Sequence, residues 1–196
     1  MKAIRTLLIF VVVLAIAGVV YVHSGLYDVA ANGGRGGFLE AIAHRVSDNS
    51  VEHHAQGIPV PPLGDPAQLK TGFAHYQEMC ITCHGAPGVK ASEIGAGLNP
   101  HPPNLIRSTM DMPPNEVYWV TKNGIKMTGM PAFGPTHNES ELWAITAFVK
   151  QLPTMTPEQY QAMVKAAGAA GEHHEEGEEH EHPAMPPTSP ASGPGH

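Results

Sequence analysis

MCITCHG, residues 79–85, contains the two cysteines of this 196-residue chain, Cys80 and Cys83, and His84 follows them at once. Three chemistries use such a Cys-x-x-Cys pair: a redox-active dithiol, a zinc site and the covalent attachment of haem c. A dithiol of the thioredoxin kind requires a βαβ context, which the sequence does not show. A structural zinc site requires four ligands, and no second cysteine pair is present to complete it. His84 therefore favours haem c, which is attached at Cys-x-x-Cys-His.

The spacing of the motif explains how it would hold haem. Residues i and i+3 of a helix lie on the same side of one turn, so both sulfurs can add to the two vinyl groups of the ring. The imidazole at position i+4 reaches the iron from the same side. We therefore predict one haem c, attached through thioether bonds at Cys80 and Cys83, with His84 as the proximal ligand of its iron.

A second axial ligand must come from elsewhere, and GIKMTGMPAFGPTH (residues 124–137) offers two methionines. Met130 lies between Gly129, which permits close approach of the backbone to the ring, and Pro131, which fixes the direction of the loop. We predict Met130 as the distal ligand, with Met127 as the alternative. Three histidines of this region are weaker candidates: His75, His101 and His137.

Helix signals surround these ligands, and no convincing strand pattern occurs. Asp65-Pro66 is a typical helix start, an N-cap followed by proline at the first helical position. This predicted helix runs into the cysteine motif. A second helix is predicted at residues 116–123, ended by a glycine. The last begins at Asn138, which forms a capping-box pattern with Glu141. The sequence thus predicts an all-α domain with long loops.

Together these motifs resemble the class I mono-haem cytochromes c. Besides MCITCHG, the matching segments are PPNL (102–105), KNGIKMTGMPAFG (122–134) and ELWAITAFV (141–149). They fall within residues 65–153, about half of the chain, which we predict to be the cytochrome c domain. The resemblance implies a small helical domain wrapped around its covalent haem.

The resemblance also implies two structural details. The carbonyl of Pro103 is expected to accept a hydrogen bond from Nδ1 of His84, which would fix the imidazole tautomer and raise its basicity. The first and last helices of the domain are expected to cross. The residues expected near that crossing are Gly72 and Phe73, against Trp143 or Phe148.

The N-terminus carries an unbroken apolar run from Leu7 to Val22, preceded by two basic residues. As a helix these residues span roughly 24 Å, slightly less than the hydrocarbon core of about 30 Å. The small-x-small sequence at residues 15–17 would suit a cleaved signal peptide, whereas the continued apolar run favours an uncleaved anchor. We predict that residues 1–23 form a transmembrane anchor, with the haem domain in the periplasm of a bacterium.

The remaining segments flank the domain. Residues 24–64 are predicted to be a connector with a short helix at 38–46, and residues 154–171 a further short helix. The tail, residues 172–196, is predicted to be disordered, and its six glutamates carry most of the net charge of −7. Two interpretations of the tail remain open, a solvated acidic segment and weak binding of Cu, Ni or Zn. The histidines concerned are His173, His174, His180 and His182.

We therefore expect an electron carrier on the outer face of the cytoplasmic membrane, and not an enzyme. Ligation by His84 and Met130 fills both axial positions and raises the reduction potential relative to two histidines. Expected partners are a quinol-oxidising complex, a terminal oxidase or a dehydrogenase of a respiratory chain. Nucleic acid is not expected, because no basic stripe occurs. The alternatives are a peroxidase-like haem enzyme or gas-binding protein, and a dedicated subunit of a larger oxidoreductase.

Overall fold

The computed structural model describes residues 2–32 and 37–172, which form helices and loops without a strand. The predicted all-α fold is confirmed. Residues 173–196, with the four histidines of the tail, lie outside the described residues. In chain order the helices are α1 (Lys2–His23), α2 (Phe38–Ala55), α3 (Pro66–His75), α4 (Ile81–His84), α5 (Glu93–Gly97), α6 (Leu105–Ser108), α7 (Pro114–Asn123), α8 (Glu139–Gln151) and α9 (Pro157–Glu172).

Two helices begin with the caps that the sequence indicated. The carboxylate of Asp65 accepts hydrogen bonds from the backbone N–H groups of Ala67 and Gln68, at 3.0 and 3.2 Å. Asn138 and Glu141 form a complete capping box at the start of α8. Such caps each stabilise a helix by about 1 kcal/mol. They fix where α3 and α8 begin, and therefore which residues of each helix meet.

The core is built on the crossing of α3 and α8, the most extensive helix contact of the fold. A Cβ atom at Gly72 would collide with the carbonyl oxygen of Ala144 and would lie 2.8 Å from Cβ of Phe148. Phe73 packs edge-on against Phe148, with ring centroids 5.5 Å apart. The expected crossing is therefore present, and Phe148 is the aromatic partner. Only a residue without a side chain allows the two backbones to approach this closely.

Trp143 belongs to a different part of the core. Its ring stacks on Tyr118 of α7, with centroids 4.1 Å apart and planes 14° apart. Leu142 completes this buried cluster. Because α3 and α7 both pack against α8, residues 142–149 are buried at every position and not along one face only. The partly buried hydrophobic residues that pack on the cluster are Ile58, Leu63 and Phe133.

α9 lies where the sequence predicted a further short helix, and it begins at a side-chain cap. Thr156 accepts a hydrogen bond from the backbone N–H of Gln159 and donates its own N–H to the side-chain oxygen of that residue, at 3.2 and 2.8 Å. The first turn of α9 packs on the core through Tyr160, whose ring lies 5.8 Å from that of Phe73. The chain divides into two units after Tyr160, and of the second unit the structure describes the continuation of α9.

α2 differs most from its sequence-based prediction. It continues beyond residue 46 to Ala55, and its C-terminal half packs against α7. Val51 and Ala55 are buried, and Nδ2 of Asn115 donates a hydrogen bond to the carbonyl oxygen of Ala55 at 2.9 Å. The segment 47–55 contains few apolar residues, so hydrophobic periodicity does not reveal it. Part of the predicted connector thus packs on the helical domain.

The crossing predicts the effect of adding one methyl group. Gly72→Ala should lower the free energy of unfolding by roughly 1–3 kcal/mol, the usual cost of overpacking, because the new Cβ meets backbone atoms of α8. Chemical denaturation of the haem-loaded full chain in detergent, followed by circular dichroism, measures this loss.

Gly168→Ala in α9 is the matched control, because a Cβ there has no atom within 4 Å. It should leave stability unchanged or raise it by up to about 1 kcal/mol through helix propensity. Equal stability of the two variants would show that α3 and α8 do not approach as described.

Candidate haem site

The Cys-x-x-Cys-His motif lies on a short helical segment that continues α3. A π-helical turn, Tyr76–Cys80, follows α3, and Cys83 and His84 lie in α4. Both cysteines are free, with Cys80 buried and Cys83 half-buried. The motif therefore occupies a single helical turn, and the preceding π-turn is a geometry common at functional sites.

The environment of Cys80 bears on the chemistry of the pair. Burial, reinforced by the neighbouring Cys83, raises the pKa of the Cys80 thiol to about 12. Redox-active cysteines instead have lowered pKa values, because the thiolate is their reactive form. Cys80 in this environment is neutral at pH 7, which disfavours a dithiol shuttle.

Tyr76 fixes the turn that follows the motif. Its hydroxyl donates a hydrogen bond to the carbonyl oxygen of Gly85 at 2.5 Å, and its ring lies 5.2 Å from that of Phe148. Gly85 has a φ of 66°, and a Cβ there would lie 2.6 Å from the carbonyl oxygen of Val89. The chain thus turns sharply after His84, in a place where only glycine fits.

His84 is oriented by the main chain. Its Nδ1 lies 2.8 Å from the carbonyl oxygen of Pro103. A carbonyl only accepts hydrogen bonds, so Nδ1 carries the proton and Nε2 keeps its lone pair. Burial lowers the pKa of His84, although the bond to Pro103 opposes this shift. His84 is therefore a neutral imidazole whose Nε2 lone pair can bind a metal ion.

The position of Pro103 follows from the helix after it. Asn104 is the N-cap of α6, and its Oδ1 accepts a hydrogen bond from the N–H of Ile106 at 3.0 Å. The cap holds the backbone next to the carbonyl that His84 contacts. This helix and α5 both lie between the cysteine motif and α7, where the sequence predicted long loops and no helix.

α5 packs directly on the motif. A Cβ at Gly95 would lie 2.8 Å from both Cα and the carbonyl oxygen of Cys83. The N–H of Ser92, the N-cap of α5, donates a hydrogen bond to the carbonyl oxygen of Thr82 at 2.9 Å. α5 thereby supports the second cysteine from outside the motif.

The loop that carries Met130 is closed by its own hydrogen bonds. Thr128 Oγ1 accepts from the N–H of Met130 at 3.1 Å and donates to the carbonyl oxygen of Ile125 at 2.8 Å. The N–H of Ile125 in turn donates to the carbonyl oxygen of Met130 at 3.2 Å. A Cβ at Gly129 would lie 2.7 Å from the side chain of Leu98, which caps the C-terminal end of α5. α5 therefore contacts both the Met130 loop and the cysteine motif.

The two methionines of the loop have different surroundings. Met127 has a φ of 61° and is 92 % exposed, whereas Met130 is half-buried. A side chain that ligates the iron of an enclosed haem must itself be at least partly buried. Met130 meets this condition. Of the other candidates, His75 and His137 pack on each other with ring centroids 5.1 Å apart.

These residues fit a covalently bound haem c. Two thiols lie one helical turn apart, a neutral imidazole offers Nε2, and a thioether lies on an anchored loop. Residues 67–149 match the family model described as cytochrome C oxidase, cbb3-type, subunit III. The chain contains a c-type cytochrome domain. A c-type cytochrome domain implies haem c, and Cys80, Cys83 and His84 fit its covalent attachment.

The match extends over most of the predicted domain and includes the cysteine motif, Pro103 and Met130. No curated protein matches the chain. The sequence-based interpretation did not identify Gly95, Leu98 and Thr128 as supports of the cytochrome site. Their roles depend on contacts between loops, although the Ser92 cap was a readable signal for α5.

The contact between α5 and the motif predicts a difference between two neighbouring glycines. Gly95→Ala places a Cβ against the backbone of Cys83, so we expect a marked loss of covalently attached haem and of thermal stability. The intact mass of the full chain measures the attached fraction, and thermal unfolding measures the stability.

Gly97→Ala, in the same short helix, is the matched control because a Cβ there has no atom within 4 Å. We expect it to attach haem as the natural chain does. A Gly95→Ala variant with unchanged haem content and stability would contradict the role given to α5.

Proposed function

We propose that this protein is a membrane-anchored electron carrier that holds one haem c between His84 and Met130. The observation that carries this proposal is that α5 contacts both the motif with its oriented neutral imidazole and the loop with Met130, within a c-type cytochrome domain. When bound, haem c supplies the one-electron Fe(III)/Fe(II) couple. His84 and Met130 would both hold the iron, so no position would remain open for a substrate.

The protein's own residues would keep the site in one geometry as its charge changes. The carbonyl of Pro103 holds the proton on Nδ1 of His84, so Nε2 stays directed at its ligand position. The hydrogen bonds of Thr128 hold Met130 in place. Small changes in geometry favour rapid electron transfer, because little reorganisation is then required.

The proposed location rests on α1. This helix is long and apolar enough to cross a bilayer, by length and composition alone, and none of its residues is buried in the protein. We propose an uncleaved single-pass anchor in the cytoplasmic membrane of a bacterium, with the cytochrome domain in the periplasm. A signal peptide would satisfy the same criteria, and recovery of the intact N-terminus from membranes distinguishes the two.

The matching family model favours one class of partner. Its description names a subunit of a cytochrome c oxidase, which supports a terminal oxidase as the electron acceptor. Two forms of this function follow, a carrier that docks transiently and a permanent subunit of the oxidase. The electron donor would be a quinol-oxidising complex or a dehydrogenase. An anchor in the same bilayer raises the effective concentration of the domain near such partners.

Spectroscopy of two methionine variants tests the ligand assignment. Met130→Ala should lose the weak long-wavelength ferric band that is typical of methionine–iron ligation, and its ferrous form should bind carbon monoxide, because an axial position opens. Met127→Ala should keep the band and exclude carbon monoxide. An intact band in Met130→Ala would overturn the assignment and give the ligand role to another methionine, with Met127 as the first candidate. Carbon monoxide binding by the natural chain would instead support the haem enzyme or gas-binding alternative.

Purification in mild detergent tests the partner. We expect the full chain, tagged at its C-terminus, to elute from membranes together with oxidase activity and a larger assembly. Raising the salt concentration separates the two forms, since a transient electrostatic contact dissociates and a permanent subunit does not. Elution of the chain alone at every salt concentration, with no oxidation of the reduced protein by oxidase-containing membranes, would exclude both forms.

A further inference from the structure

The N-terminal half of α2 carries an apolar surface without a partner among the described residues. We name as the exposed stripe four of its side chains that lie on one side of the helix. Their exposed fractions are high for such large apolar groups: Phe38 80 %, Leu39 69 %, Ile42 44 % and Val46 61 %. Contiguous exposed apolar surface of this kind marks an interaction site.

The exposed stripe is separate from the surface by which α2 packs on the domain. Successive residues of an α-helix are rotated by about 100°, so Val51 and Ala55 project from roughly the opposite side of α2. Those two residues are buried against the domain, and the stripe therefore faces away from it. On the side of the N-terminal half opposite the stripe, in line with Val51 and Ala55, lie polar residues, His44 and Asp48 among them. This half of α2 is amphipathic independently of its domain contact.

The segments next to the stripe favour a lipid surface as its partner. Fourteen residues, 24–37, separate the end of α1 from Phe38, and even fully extended they span only about 50 Å. α2 therefore stays close to the bilayer that α1 would cross. The intervening residues Leu26, Tyr27 and Val29 are also exposed, and tyrosine is enriched at membrane interfaces. Arg45 flanks the stripe, where it can reach anionic headgroups.

We propose that the N-terminal half of α2 lies in the membrane interface, with the exposed stripe turned into the lipid. Its C-terminal half is joined to α7 through Val51, Ala55 and the hydrogen bond from Asn115. One continuous helix thus connects the lipid surface to the cytochrome domain and limits how the domain is oriented over the membrane. This inference rests on the proposed anchoring by α1.

Site-specific labels on the haem-loaded full chain test this orientation. Cys80 and Cys83 are consumed by haem attachment, so one added cysteine is the reactive thiol. Ile42→Cys samples the stripe, and His44→Cys, in the same turn but on roughly the opposite side, is the matched control. Each variant is labelled with an environment-sensitive fluorophore and reconstituted in vesicles of equimolar phosphatidylcholine and phosphatidylglycerol that contain nitroxide-labelled lipid. We expect several-fold stronger quenching at position 42 than at position 44.

Flotation of the vesicles is measured on the same samples. It distinguishes failure of the proposed anchor α1 from failure of the proposed interfacial position of α2. Equal quenching of the two labels in a chain that floats overturns the interfacial role of α2 and leaves the anchor intact. A label at position 42 that is shielded from water but not quenched by lipid shows a protein partner or a second copy on the stripe, and also overturns it. A chain that does not float overturns the anchor itself.

Discussion

The contact between the backbones of α3 and α8 at Gly72 is the constraint on which the rest of the structure depends. α3 continues through the π-turn into the cysteine motif, so the position of α3 determines where Cys80 lies. α8 also packs against α7, from which the loop with Met130 departs. A displacement at one glycine would therefore move the two sides of the candidate haem site relative to each other.

Close contacts made possible by glycine also occur nearer the candidate haem site. Gly95 allows α5 to lie against the backbone of Cys83, and Gly129 allows the Met130 loop to lie against Leu98. These contacts join main chain to main chain or to a single side chain, so they leave little room for adjustment. In a small domain with a modest core, such contacts fix the relative positions of the helices and loops. A bound cofactor contributes further to its stability.

The parts of this fold that were predictable from sequence have local chemical causes. The caps at Asp65 and Asn138 are set by a side chain and the backbone a few residues away, and the Cys-x-x-Cys-His motif is contiguous. The length of α2 was not predictable, because residues 47–55 are mostly polar and are held by α7. α5 and α6 are too short to show a hydrophobic period. Trp143 could face α3 or α7, and only the three-dimensional packing distinguishes these neighbours.

The bond between His84 and Pro103 has an evolutionary consequence. Its acceptor is a main-chain carbonyl, which every amino acid possesses. No amino-acid substitution at position 103 removes that carbonyl, so the tautomer of the imidazole does not depend on which side chain stands there. Loss would require the segment itself to move, for example after mutation of the cap at Asn104. Selection on this contact therefore acts through the path of the backbone and only weakly through residue identity at position 103.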